Sequence, residues 1–185
     1  NKLSLPDNYK IEWGGEYYEQ NKNVAAVFST LPLQGTIMFT ICVFLFATLK
    51  DPLIIFAILP LSFIGIAPGL FLTGRSFGFM SIIGAISLSG MMIKNSIVLI
   101  DEIKYEINVD KKDPYTAIID SAISRIRPVS MASVTTIFGM LPLIFDPLYG
   151  DMAITIVFGL TASTMLTLFV VPLLYSLLYK IEKQQ

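Results

Sequence analysis

Long uncharged blocks of apolar residues alternate with short polar segments along this chain. A helix that crosses the hydrocarbon core of a membrane needs about 20 predominantly apolar residues, and five of the blocks are long enough. They predict membrane spans at about 24–49, 52–73, 77–103, 128–146 and 152–179. The pattern therefore predicts an all-α membrane protein. We expect a five-span transmembrane helix bundle with a short extramembrane β-strand and helix segment at the N-terminus.

The polar residues 1–22 are expected to form the end of a region outside the membrane. Residues Tyr9 to Trp13 alternate weakly between polar and apolar side chains, and the glycine pair at 14–15 predicts a turn after them. A short strand is therefore expected there, followed by a helix that begins at Glu16. Residues 23–185 then form the transmembrane bundle. The odd number of spans and the start at Asn1 indicate one part of a longer protein.

One long polar segment, residues 101–127, separates the third and fourth spans. Asp113 followed by Pro114 is typical of a helix start, because Asp caps the free N–H groups and Pro suits the first helical position. The apolar residues that follow share one face of that helix: Tyr115, Ile118, Ile119, Ala122 and Ile123. We therefore expect a cytoplasmic surface helix over about 114–124 that lies along the membrane.

Basic residues are distributed unevenly between the two sides that alternating spans define. Eight of them fall on one side: Lys50, Lys104, Lys111, Lys112, Arg125, Arg127, Lys180 and Lys183. The short loops of the other side hold only Arg75. Because short loops rich in Lys and Arg stay in the cytoplasm, the C-terminus is expected there. The N-terminal segment is then expected outside.

Composition excludes several classes of protein and site. Hydrophobic residues make up 54% of the chain and the mean hydropathy is +0.69, which is typical of a membrane protein and not of a soluble domain. The net charge of −1 gives no reason to expect binding to nucleic acid. A single cysteine, Cys42, excludes an internal disulfide and a cysteine-cluster metal site. No nucleophile–base pair or phosphate loop is found, so neither an enzyme nor a cofactor is expected.

Lys94 is the most informative residue, because it lies inside the third predicted span. A charged residue near a helix centre costs roughly 2.5–3.5 kcal/mol on insertion scales. Lys94 shares a helix face with Ser87 and Gly90, and small residues allow helices to approach closely in lipid. The face predicts a lysine that points into a helix bundle, although extension of its ammonium to the headgroups is an alternative. We expect its counter-charge to be a carboxylate on a helix outside this chain.

Two other groups could take part in chemistry. Arg125 and Arg127 lie at the start of the fourth span, where they could bind headgroups or contribute to a proton relay. Thr135 and Thr136 lie about two turns further along, and their hydroxyls could bond neighbouring helices or join such a relay. From the residues alone, three groups of side chains could therefore do chemistry: Lys94 with Asn95, Arg125 with Arg127, and Thr135 with Thr136. No substrate-binding residue is indicated.

Several of these segments resemble the resistance-nodulation-division (RND) efflux transporters. Residues 74–80 and 88–101 are similar to the tenth transmembrane helix of that family, 125–133 with 139–143 to the eleventh, and 159–160 with 171–175 to the twelfth. Residues 9–15 are similar to the last periplasmic strand before the eighth helix. The resemblance follows the order of the chain and implies that the five spans correspond to helices eight to twelve.

This resemblance implies the C-terminal membrane half of a proton-driven exporter of drugs or other amphiphiles in the bacterial inner membrane. The family relay has a lysine and an arginine, which fall on Lys94 and Arg125, and Asn95 matches the residue after the lysine. Its threonine falls on Ala132, a departure that Thr135 or Thr136 could compensate. Two aspartates on the fourth helix belong to the N-terminal half, so this chain alone is expected to be inactive.

The resemblance also implies partners: the N-terminal half, a homotrimer, a periplasmic adaptor, an outer-membrane channel and membrane lipid. Two alternatives remain open from the residues alone. One is a non-transporting membrane scaffold or truncated product, and the other is an RND relative that exports lipid-like cargo.

Overall fold

The computed structural model of the chain describes residues 16–181, except for the side chains of 16, 17 and 19. Its α-helices are α1 (Glu16–Phe46), α2 (Lys50–Ala57), α3 (Ser62–Thr73), α4 (Phe79–Asn108), α5 (Pro114–Met140) and α6 (Gly150–Tyr179). Two short 3-10 helices, Leu59–Leu61 and Leu141–Phe145, complete the described structure. The strand expected at Tyr9 to Trp13 lies outside the described residues.

Five helical stretches are long and apolar enough to cross a membrane: Gln20–Phe46, Lys50–Thr73, Phe79–Asn108, Pro114–Phe145 and Gly150–Tyr179. The predicted all-α architecture with five spans is therefore confirmed. The first helix ends at Phe46, three residues before the expected end, because Ala47 adopts a left-handed conformation with φ +52°. The chain turns there and enters α2 at Lys50.

The second span is divided near its middle by Pro60. Proline has no N–H group, so it cannot donate the next hydrogen bond of an α-helix. The chain instead forms a 3-10 turn, in which the N–H of Leu61 donates to the carbonyl of Ile58 at 2.9 Å. The α-helix resumes at Ser62, and Pro68 is accommodated inside it. The span thus consists of α2 and α3, joined by a tight turn.

The fourth span differs from the expectation at its start. The expected surface helix at 114–124 and the expected span at 128–146 are one continuous helix, α5, with Pro128 inside it. The structure has no break between these two segments, so the expectation of two separate elements is corrected to one helix. A proline removes only one backbone hydrogen bond, and a membrane helix tolerates this loss when the rest of its ladder is intact. The helix start itself is as predicted, because Asp113 accepts a hydrogen bond from the N–H of Tyr115 at 3.2 Å.

Helix α6 lies at the centre of the bundle and packs against α3, α4 and α5. Small residues permit this close approach. A Cβ added at Gly65 would lie 2.5 Å from the Cβ of Ala162, and one added at Gly159 would overlap Leu88. Without a hydrophobic driving force between helices in lipid, such tight contacts supply much of the association energy. The α3–α6 and α4–α6 contacts therefore form a rigid frame.

An ion pair joins two loops at one end of this frame. Arg75, at the start of the loop after α3, lies 3.0 Å from Asp151 in the first turn of α6, and it also donates to the carbonyl of Ile144 at 3.2 Å. Gly150 makes room for the guanidinium, because a Cβ there would lie 2.5 Å from Arg75 Nη1. The loops before α4 and before α6 are therefore fixed to each other.

Candidate functional site

Lys94 lies on a face of α4 that this chain leaves uncovered. Ser87, Gly90 and Lys94 are all exposed, and we call these three residues the open face of α4. A Cβ added at Gly90 would meet nothing within 4 Å. Within residues 16–181, no hydrogen bond or ion pair to Lys94 is found, so its ammonium is uncompensated by the described part of the chain. The open face therefore has space for another helix.

A cavity of about 210 Å³ lies beside Lys94, between α4, α5 and α6. It is lined by Met91, Lys94, Asn95, Ala132, Ser133, Thr136 and Leu160. Lys94 and Asn95 thus share the cavity with Ala132 of the fourth span. The structure therefore brings three of the predicted residues together at one cavity: Lys94, Asn95 and Thr136.

The two threonines differ in their positions. Thr136 lines the cavity, and its hydroxyl donates to the carbonyl of Ala132 at 2.9 Å. The hydroxyl of Thr135 donates to the carbonyl of Met131 at 2.8 Å, and Thr135 is not among the residues that line the cavity. Both hydroxyls bond their own helix, which is the usual arrangement for threonine in an apolar helix. Only Thr136 is placed close to Lys94.

Ser133 is a cavity residue that the sequence reasoning missed. Its hydroxyl forms a buried hydrogen bond of 2.8 Å with the hydroxyl of Thr164 on α6. Both side chains are buried, and Ser133 also lines the cavity beside Lys94. The signal that could have found it is the position directly after Ala132, opposite a span rich in hydroxyl residues. A hydroxyl on the residue next to Ala132 thus lies at the cavity beside Lys94.

Arg125 is placed away from Lys94. Its guanidinium forms an ion pair with Glu102 on α4, and both side chains are partly exposed. Glu102 follows Lys94 by eight residues, which corresponds to about 12 Å along the helix axis. One guanidinium nitrogen, Nε, is buried without a hydrogen-bond partner among the described residues. In this chain Arg125 therefore joins α5 to α4 below the level of the cavity, towards the C-terminal end of α4.

The cavity beside Lys94 presents an ammonium and an amide from α4, with the hydroxyls of Ser133 and Thr136 from α5. An ammonium near the centre of a membrane is stabilised by a negative partner. Within residues 16–181, no group of three or more His, Cys, Asp or Glu side chains is placed to hold a metal ion. The described residues supply donors but no acidic side chain at the cavity.

Known proteins similar to this chain include proteins named for swarming motility, for metal resistance and for multidrug resistance. The chain is 30% identical to the swarming motility protein SwrC of Bacillus subtilis (strain 168), over 100% of this chain and 18% of that protein. It is 27% identical to the nickel and cobalt resistance protein CnrA of Cupriavidus metallidurans, over 97% of this chain and 17% of that protein. Over 75% of this chain it is 32% identical to the multidrug resistance protein MdtC of Edwardsiella ictaluri, of which it covers 14%.

A comparison with solved structures also finds a similar protein. A crystal structure of a heavy metal efflux pump superimposes with a TM-score of 0.78 and 26% identity, over 96% of this chain and 18% of the pump. The chain thus spans less than a fifth of the length of the proteins it matches. The sequence profile of the AcrB/AcrD/AcrF family matches residues 1–179. The chain therefore belongs to the AcrB/AcrD/AcrF family and is a fragment of an RND efflux transporter.

Proposed function

We propose that this chain is the C-terminal membrane half of a proton-driven RND exporter, to which Lys94 and Arg125 contribute relay residues. The observation that carries the proposal is the position of Lys94, uncompensated within the described chain and facing a cavity between α4, α5 and α6. A lysine at membrane depth is costly unless it has a partner. The proposed partners are two aspartates on the fourth helix of the N-terminal half.

The proposed mechanism follows from the charge of that pair. When the aspartates are ionised, Lys94 binds them across the open face. Protonation from the periplasm removes their negative charge, so Lys94 loses its partner and the helices shift to a second arrangement. Release of the proton to the cytoplasm restores the pair. The change of charge is local, and its consequence is a movement of α4 relative to the N-terminal half.

The other predicted residues differ in how directly their positions support a role in the relay. Asn95 and Thr136 line the cavity and would hydrogen-bond the displaced ammonium or water, with Ser133 beside them. Arg125 would act from the level of Glu102, about 12 Å along α4. Thr135 has the weakest support among the five, because it does not line the cavity.

The remaining parts of the proposal concern the setting of this chain. Residues 1–22 would end the periplasmic region, with the N-terminal segment in the periplasm and the C-terminus in the cytoplasm of the inner membrane. The whole transporter would be a homotrimer with a periplasmic adaptor and an outer-membrane channel. This chain alone would not transport. One relative is named for metal resistance and another for multidrug resistance. The proposal therefore concerns the proton relay and does not identify the cargo.

The test uses the full-length transporter that contains these residues. Lys94→Met is expected to abolish efflux driven by a proton gradient while the protein still inserts into the membrane. The control is Lys22→Met, because Lys22 is exposed on α1 and does not line the cavity. Efflux is measured in proteoliposomes at imposed pH gradients. Wild-type efflux from Lys94→Met would remove Lys94 from the mechanism.

A further inference from the structure

Helix α1 meets the rest of the bundle at its C-terminal end. Among its described side chains, only Cys42 and Phe46 are buried. The ring of Phe39 packs edge-to-face against Phe56 of α2, with 5.5 Å between ring centres. These contacts lie in the last two to three turns of a helix of 31 residues. The position of α1 within this chain is therefore determined mainly at one end.

The opposite end of α1 borders a cavity of about 300 Å³ with a mixed polar and apolar lining. Gln20 and Asn23 of α1 line it on one side, and Ser76 and Asp151 lie across it. A helix that is packed at one end and borders a cavity at the other can change its tilt without disrupting a packed core. The C-terminal end of α1 is then the place where such a movement would pivot.

A buried carboxylate lies at that pivot. Asp51, in the first turn of α2, is fully buried with an exposed fraction of 0%. It forms an ion pair with Lys104 of α4 and accepts hydrogen bonds from Thr48 and, at 2.9 Å, from the hydroxyl of Tyr179 of α6. We call Thr48, Asp51, Lys104 and Tyr179 the Asp51 cluster. It joins the turn after α1 to the ends of α4 and α6.

Lys104 also contacts α1 directly. Its ammonium lies 4.8 Å from the centre of the Phe46 ring and 3.4 Å from the carbonyl oxygen of Phe46. Both contacts are at the last residue of α1. Lys104 follows Lys94 by ten residues on the same helix, about 15 Å along the axis. A single side chain of α4 thus bonds both the end of α1 and the carboxylate that follows it.

The two lysines of α4 differ in what this chain provides for them. Lys104 is bound by a buried carboxylate, a carbonyl and an aromatic ring. Lys94 has no ionic or hydrogen-bonding partner within residues 16–181. Movement of α4 that starts at Lys94 would therefore reach Lys104 through one continuous helix, and it would reach α1 through contacts that Lys104 already makes.

We infer that Lys104 and Asp51 are positioning residues that transmit movement of α4 to α1. The inference rests on the proposed function, in which protonation moves α4. Lys104 holds the end of α1 to α4, and the cluster keeps that link when α4 shifts. Because α1 continues towards the N-terminal segment, its tilt would carry the movement from the proton relay to the region before the first span.

A purely structural role for the ion pair predicts a different result from a coupling role. Removing one partner of a buried pair leaves an uncompensated charge, whereas replacing both partners with neutral residues is often tolerated. Lys104→Met is therefore expected to destabilise the protein. Asp51→Asn combined with Lys104→Met is expected to recover the stability. If the pair only stabilises the fold, this double variant recovers efflux as well.

The experiment compares these variants in the full-length transporter in proteoliposomes. We expect the double variant to insert and melt like the wild type but to lose efflux driven by a proton gradient at least tenfold. Lys104→Arg keeps the charge and the pair, and it is expected to retain efflux. Wild-type efflux from the double variant would overturn the inference. Lys94→Met is measured in the same assay. Efflux in that variant would contradict the proposed function itself, and not only the transmission of movement from α4 to α1.

A distance measurement tests the inference independently of efflux and of melting. Spin labels at Ala26→Cys on α1 and Asn108→Cys at the end of α4, both exposed, are introduced with Cys42→Ala to remove the native thiol. The label distance is expected to change between pH 5 and pH 8 in this background. The same change is expected to disappear when Lys104→Met and Asp51→Asn are added. Persistence of the change in that variant would show that α1 follows α4 without the cluster.

Discussion

The two faces of α4 differ in what the chain provides for them. One face is buried against α6, and we call its members Ser81, Gly84, Ala85, Leu88 and Met92 the packed face. The open face carries Lys94 and has space around Gly90. Since both faces belong to the same helix at the same depth, the difference does not come from the membrane. It shows which face of α4 the described residues cover and which face they leave open.

The comparison separates stability from function along one helix. Small residues on the packed face support contacts that determine how α4 is held, because lipid gives no hydrophobic driving force between helices. On the open face, a Cβ added at Gly90 meets no atom of the described residues within 4 Å. Changes on the packed face should therefore lower the stability of the fold, whereas changes on the open face should not.

The largest difference is expected between the two lysines of α4. Lys104→Leu leaves Asp51 buried without its ionic partner, and the expected loss in the free energy of unfolding of the five-span chain is about 3–5 kcal/mol. Lys94→Leu removes an uncompensated charge at membrane depth and is expected to cause no loss. Denaturant titration in bicelles measures both. Equal losses for the two variants would contradict the contrast between them.

A smaller difference is expected between two glycines. Gly159→Ala forces a Cβ against Leu88 across the packed face, and the expected loss in the free energy of unfolding is about 1–3 kcal/mol. Gly90→Ala meets no atom within 4 Å and improves helix propensity, so a gain of up to about 1 kcal/mol is expected. The same titration compares them. A loss at Gly90 as large as that at Gly159 would show that the open face is already occupied.

The smallest expected effect concerns the hydroxyl pair beside the cavity. Ser133→Ala and Thr164→Ala each remove one partner of a buried hydrogen bond, and hydrogen bonds between membrane helices average about 0.6 kcal/mol. The double variant should cost little more than either single variant, since both remove the same bond. Thr135→Ala is the control, because its hydroxyl bonds only its own helix. Additive losses would show that the two hydroxyls act independently.

The fold was largely predictable because block length decides how many helices can cross a membrane. The continuity of α5 through Pro128 was not predictable from the sequence. A proline usually ends or starts a helix, but a membrane helix can continue through it. The position of Asp51 was also not predictable. Lys50, Asp51 and Pro52 are typical of an exposed turn, and the residues that bury the carboxylate, Lys104 and Tyr179, are distant in sequence.

The candidate site was predictable to the extent that it depends on one helix. Lys94 and Asn95 are neighbours on α4, and the depth of Lys94 follows from the length of its span. Ser133 was missed because its importance depends on how α5 is rotated against α6, which the sequence does not specify. The separation of Arg125 from Lys94 was not predictable either, because it also depends on how α5 packs against its neighbours. Rotation and tilt are properties of packed helices and not of single spans.

The bond between Ser133 and Thr164 can run in either direction, because either hydroxyl can donate its hydrogen to the other. Turning both O–H groups would reverse the polarity of the pair without moving a heavy atom. The wall of the cavity could then present a lone pair to water in one orientation and a hydrogen in the other. The wall of the cavity beside Lys94 thus includes a hydroxyl whose hydrogen-bond direction is not determined by the positions of the heavy atoms.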